Sequence, residues 1–114
     1  MKLVRTVRLS QKAEQDFADI LVWTLRQFGI AQAETYAVTL RLALREVADG
    51  AATIGAKARD DISPGVFLLH VARAGRRGRH LVAFRVADGH YVDVLRILHE
   101  SMALASHLSA VHEP

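Results

Sequence analysis

Hydrophobic positions recur along this chain with two different periods, and the change falls near residue 65. Ahead of it the apolar residues are spaced for helices. Residues 3–9 (Leu-Val-Arg-Thr-Val-Arg-Leu) are β-branched and mixed in polarity, which predicts a short opening strand. Ser10 then offers a helix N-cap, its hydroxyl able to accept an amide hydrogen that the first turn leaves unpaired. Ala13, Phe17, Ile20, Leu21, Thr24 and Phe28 follow at helical spacing, and Gly29 is a natural stop. A second stripe (Ala33, Tyr36, Ala37, Leu40, Leu44, Val47) begins almost at once and ends at Gly50. Two helices joined by so short a link must run antiparallel, so a helical hairpin with one apolar face is expected.

Gly50, Gly55, Pro64 and Gly65 mark a connecting loop, after which the period becomes two. Phe67, Leu69 and Val71 alternate with Leu68, His70 and Ala72, and His80, Val82, Phe84 and Val86 alternate with Arg79, Leu81, Ala83 and Arg85. Gly75-Arg76-Arg77-Gly78 between them predicts a hairpin turn with glycines at positive φ. Asp88-Gly89 is a two-residue turn signal, and Tyr91–His99 is a further strand. A short helix over Met102–Leu108 and a frayed end at Val111–Pro114 complete the chain. The expected fold is one α+β domain over residues 1–114. A helical hairpin packs on a four-stranded, largely antiparallel sheet in the order β-α-α-β-β-β, with a short C-terminal helix.

Composition narrows the function classes. With 51% apolar and 24% charged residues the chain is not disordered. Its longest uninterrupted apolar runs are four residues, against the ~20 a membrane-spanning helix needs. The opening MKLVRTVRLS lacks the apolar stretch of a secretory leader, so a cytoplasmic location is expected. There is no Cys, hence no disulfide and no thiolate metal site. The six His show no ligand-like spacing with a carboxylate, and Gly75–Gly78 lacks the Lys-Ser/Thr of a nucleotide-binding loop. Neither a metal nor a cofactor is expected.

Charge changes the picture more. The net charge is +3, and between Ile62 and Ala87 lie Arg73, Arg76, Arg77, Arg79 and Arg85 with no Asp or Glu. One surface should therefore be strongly positive and attract an anionic partner. Arg73, Arg76, Arg77 and Arg79 flank or occupy the expected turn, where exposed cations commonly bind; a polar turn guarding a sheet edge is the plainer reading. Trp23 falls on a helical face with Asp19, Arg26 and Gln27, either as an interface anchor or packed within the hairpin. His80 and His90 bracket strand ends and are expected to be solvated.

The chain resembles the RelE/ParE toxins of bacterial type II toxin–antitoxin operons over nearly its whole length. The resemblance rests on Leu9-Ser10, Ala13, Asp16 and Ile20; on Tyr36 and Leu40; and on Gly55, Arg59, Asp60 and Pro64-Gly65. It continues through Leu81–Val86 and Val94–His99 to Met102 and His107-Leu108, of which Arg96-Ile97-Leu98-His99 with the following Met and His-Leu is the most specific. It is closer to the ParE branch than to the ribonuclease branch. The resemblance implies a cytoplasmic poison of DNA gyrase, without enzymatic activity, held inactive in a hetero-oligomer by a ParD-like antitoxin. No membrane partner is expected, and no sequence-specific DNA binding by the toxin itself. Partner contacts are expected at Trp23, Arg73, Arg76, Arg77, Arg79 and Arg85. The alternative is a ribosome-dependent endoribonuclease in which Arg59 and Arg85 clamp a phosphoryl group and His99 moves a proton. Against it, the last Lys is Lys57 and no Tyr follows Tyr91. A non-toxic binding module is the third reading. For His99 a structural role, hydrogen-bonding loop backbone, competes with the chemical one. For Arg59 the plain alternative is an ion pair with Asp60 or Asp61.

Overall fold

The computed structural model describes residues 5–112, so the ends of the expected opening strand and of the frayed tail lie outside the described residues. The elements are β1 (Thr6–Leu9), α1 (Gln11–Phe28), α2 (Ile30–Glu46), a short 3-10 segment (Val47–Ala52), β2 (Lys57–Ala58), β3 (Phe67–His70), β4 (His80–Ala87), β5 (Tyr91–His99) and α3 (Leu104–His112). They form an α+β fold with five strands in the order β1-β5-β4-β3-β2; β1 runs parallel to β5 and the other pairs are antiparallel. The fifth strand is the two-residue β2, inside the stretch read as loop. Two residues carry no period, and only the edge of β3 makes them a strand.

Local signals act as expected in the hairpin. Ser10 Oγ accepts the Ala13 N–H at 3.0 Å and donates to the Leu95 carbonyl at 2.8 Å, so one hydroxyl caps α1 and docks it on β5. Gly29, at φ +91°, closes α1 through its N–H to the Leu25 carbonyl and opens α2. The β4–β5 turn puts Asp88 at φ +44° and Gly89 at φ +82°, the paired left-handed residues a tight hairpin requires.

The sheet is covered on both faces. Ala13, Leu40, Ala43 and Val47 of the hairpin side pack with Leu69, Val82, Phe84, Val92, Val94 and Ile97. On the opposite face Leu108 of α3 joins Val66, Leu68, Ala83, Leu95 and Leu98. A bulge sorts β5 between the two. Ala83 pairs with Arg96 and Phe84 with Val94, which leaves Leu95 without a partner across the ladder. That extra residue reverses the alternation. Val92 and Val94 face the hairpin before it, and Ile97 faces the hairpin after it.

β1 covers β5 only as far as Val94. Beyond that point α1 supplies the missing partners. Asp16 Oδ2 accepts the Ile97 N–H at 2.9 Å, and the same carboxylate takes Arg96 in a two-pronged ion pair at 2.8 and 2.9 Å. Both side chains are largely buried, at 15% and 17% exposure. Asp16 and Arg96, 80 residues apart, thus join the first helix to the last strand.

Candidate functional site

The arginine-rich connection is longer and better anchored than a four-residue turn. β3 ends at His70 and β4 begins at His80. Ala74 and Gly75 take positive φ, at +53° and +82°; Gly78 does not. Gly78 is required for space instead, since a Cβ there would lie 2.6 Å from Val71 Cγ2 and 2.7 Å from the Tyr36 hydroxyl.

Arg73 and Arg76 are not the exposed turn cations the sequence predicts. Both converge on Glu46 in the last turn of α2, Arg73 Nε at 3.1 Å and Arg76 Nη2 at 2.8 Å, with side chains only 21% and 22% exposed. Arg73 also donates to the Ile54 carbonyl. A carboxylate added to the unpaired carbonyls of a helix C-terminus makes a strongly negative spot, and that spot draws both guanidinium groups inward. Arg77 remains exposed and makes no ion pair among the described residues. Arg79 is 76% exposed, with one loose contact to Glu100 at 3.6 Å.

Where this connection enters β4, histidines gather that are dispersed in sequence. His80, expected in solvent, is partly buried against α2, its Nδ1 2.6 Å from the Tyr36 hydroxyl. The same hydroxyl accepts the Arg79 N–H at 3.3 Å. Burial, reinforced by neighbouring His99, pushes the His80 pKa down to about 4, and burial raises that of Tyr36. His99 stands directly across the ladder, its ring centroid 5.3 Å from that of His80. Its Nδ1 accepts the Ser101 N–H at 3.1 Å and lies 2.7 Å from Ser101 Oγ. His70 Nε2 meets Glu100 at 2.7 Å, which holds that carboxyl below its usual range. Two imidazoles with satisfied Nδ1 atoms are arranged to brace a strand end.

Arg59, Arg85 and His99 are not brought together. Arg85 pairs across the ladder with Asp93 and His99 with His80, five residues further along β4, or about 17 Å. Arg85 also shares a face with Ala83, on the α3 side, whereas His99 shares one with Ile97, on the hairpin side. Arg59 takes the plain alternative, a two-pronged pair with Asp61 at 2.9 Å. Arg85 holds the neighbouring loop through the Pro64 carbonyl at 3.0 and 3.2 Å and Ser63 Oγ at 3.2 Å.

Trp23 is 57% exposed, edge-on to Phe28 at 5.8 Å rather than packed into the hairpin. Val22, Leu25, Phe28, Ile30 and Val38 are exposed as well. Between the helices runs an open apolar groove of about 290 Å³, floored by Ala33 and Ala37 and walled by Leu21, Leu25 and Ile30. Phe28, placed on the core stripe by its spacing, is in fact 63% exposed. The sequence marks this surface only through Trp23, which sits on a polar helical face, whereas Phe28 fits the same helical period as the core. Among the described residues no three His, Asp or Glu form a metal-holding group, and no helix is long and apolar enough to cross a membrane.

The chain is similar to known proteins in sequence and in fold. Residues 7–104 match the family described as the ParE toxin of the type II toxin–antitoxin system parDE. Toxin ParE1 of Caulobacter vibrioides is 31% identical over 110 residues, spanning 92% of this chain and 99% of that protein. Among solved structures, a chain of the chromosomal ParDE system of P. aeruginosa superimposes with a TM-score of 0.67 at 23% identity, covering 84% of this chain and 96% of its own. A chain of the RelBE2 toxin–antitoxin complex of Mycobacterium tuberculosis does so at 0.55 and 21%, covering 85% and 99%. These two likenesses show the fold.

Proposed function

Because the chain belongs to the ParE toxin family of type II toxin–antitoxin systems, we propose that it acts in the cytoplasm as a stoichiometric poison of DNA gyrase. A ParD-like antitoxin, made from a neighbouring reading frame, holds it inactive in a hetero-oligomer. The observation that carries gyrase binding over RNA cleavage is the placement of Arg85 and His99. They lie about 17 Å apart on opposite faces of the sheet, and a phosphoryl clamp and its proton carrier must reach the same phosphate.

The antitoxin buries apolar side chains on the outer face of the hairpin, where Trp23, Phe28 and Ile30 stand clear of the core beside the Ala33–Ala37 groove. A helix laid there would bury the aromatic pair without disturbing the core. The charged part of the contact falls on Arg77 and Arg79, with Arg73, Arg76 and Arg85 serving mainly to hold the surface in shape.

Controlled expression in bacteria tests the reading. Filamentation with induction of the DNA-damage response, relieved by co-expression of the neighbouring reading frame, is the expected result. Prompt arrest of translation with cleaved messenger RNA would replace it with ribonuclease action. Unimpaired growth would make the chain a non-toxic binding module.

A further inference from the structure

The four arginines of the β3–β4 connection divide into two pairs with different work. Arg73 and Arg76 are drawn onto Glu46, and Arg73 also crosses to the Ile54 carbonyl, so one carboxylate ties together α2, the turn before β2 and the connection itself. At the far end Tyr36 holds the connection again, through the Arg79 N–H and the close packing of Gly78. Between these anchors Arg77 and Arg79 stand in solvent, and beside the first anchor Ile54 is 81% exposed.

We propose that Ile54, Arg77 and Arg79 form a preformed docking shelf, separate from the hairpin groove, for an acidic segment of the antitoxin that also carries apolar side chains, and that Glu46 is the residue that positions it. The shelf rests on the toxin–antitoxin reading above. Charge complementarity selects the occupant: with Arg73 and Arg76 taken up by Glu46, Arg77 makes no ion pair among the described residues and Arg79 only the 3.6 Å contact to Glu100, so the shelf presents positive charge. The isoleucine selects a protein chain over a nucleic acid, since a phosphate backbone is matched by cations alone. A connection from 71 to 79 held only at its strand ends would have to be ordered on binding; clamped by Glu46 and Tyr36 it meets its partner already shaped.

The test uses the full-length chain and the full-length antitoxin from the neighbouring reading frame, with association and dissociation rates measured from low to moderate salt. The Arg77→Ala/Arg79→Ala double variant should slow association about tenfold at low salt and flatten its salt dependence. Ile54→Ser should leave association unchanged and speed dissociation several-fold. Glu46→Gln should slow association several-fold in the unmodified chain and not at all in the double variant. A purely structural Glu46 would cost the same in both backgrounds, and that result would overturn its positioning role. Glu46→Asp, which keeps the charge and shortens the reach, makes the same comparison if Glu46→Gln does not fold. Unchanged rates in the double variant would overturn the shelf while leaving the toxin–antitoxin reading intact. Failure of the unmodified chain to bind the antitoxin would overturn both. Loss of binding to a single-stranded RNA oligonucleotide, with antitoxin binding retained, would overturn the protein as occupant.

Discussion

Replacing Asp16 by Ala should be among the most damaging single changes in this protein. The carboxylate accepts three hydrogen bonds, two from Arg96 and one from the Ile97 N–H at the stretch of β5 that β1 leaves uncovered. Its removal strands a guanidinium only 17% exposed and leaves a backbone donor unpaired. Breaking one side of a buried pair costs about 3–5 kcal/mol, and the orphaned N–H adds to it. Against a typical total stability of about 5–15 kcal/mol, that should lower the melting temperature by roughly 10–20 °C in a domain of this size. Differential scanning calorimetry at neutral pH measures it directly. The informative control is Asp16→Ala with Arg96→Met, which removes both charges and fills the space with an apolar chain; it should recover most of the loss. A drop of less than about 1 kcal/mol for Asp16→Ala, or a double variant as unstable as the single one, would refute this account of how α1 is joined to β5.

Other consequences can be measured on the same material. His80 stays neutral in the folded state down to about pH 4, while in the unfolded chain it takes up a proton near 6.5. The unfolded state therefore binds more protons as pH falls, so stability should decline from pH 6.5 towards 4 by roughly 1–2 kcal/mol after allowance for solvent screening. In urea titrations His80→Asn, which keeps an acceptor near the Tyr36 hydroxyl, should show a shallower decline; an equally steep one would count against the burial of His80. Gly78→Ala should cost about 1–3 kcal/mol by forcing a methyl group against Val71 and Tyr36, read as a shift in urea midpoint; an unchanged midpoint would show that the connection yields freely. Trp23→Ala should change stability by no more than about 0.5 kcal/mol yet weaken antitoxin binding at least tenfold by calorimetry, and loss of fold instead would place Trp23 in the core.

Much of the fold is legible in residue order because it follows from local chemistry. Ser10 caps α1 wherever that helix packs, Gly29 ends it, Asp88-Gly89 closes a hairpin, and the shift from helical to alternating period marks where helices give way to strands. Each signal acts over a few residues and needs no distant partner. The resemblance, in which Asp16 and Arg96 are two of many residues, agrees with the family match over residues 7–104, but nothing local says that these two residues pair across 80 positions.

The site followed a different rule. Charge composition located the cationic connection but not the division of its arginines, because Glu46 belongs to an element that ends 27 positions before Arg73 begins the connection's basic run, and only packing brings them together. Likewise Arg85 and His99 look like partners in a list of polar residues. The sheet register and the bulge at Leu95 set them on opposite faces, since one unpaired residue reverses every side chain beyond it. The exposure of Trp23 and Phe28 depends on which end of the hairpin the sheet supports, and an apolar residue carries no local mark of whether anything lies above it. Residue order thus determined the elements and the sign of the surface. Register, burial and the pairing of distant charges decided which of those residues are left for a partner.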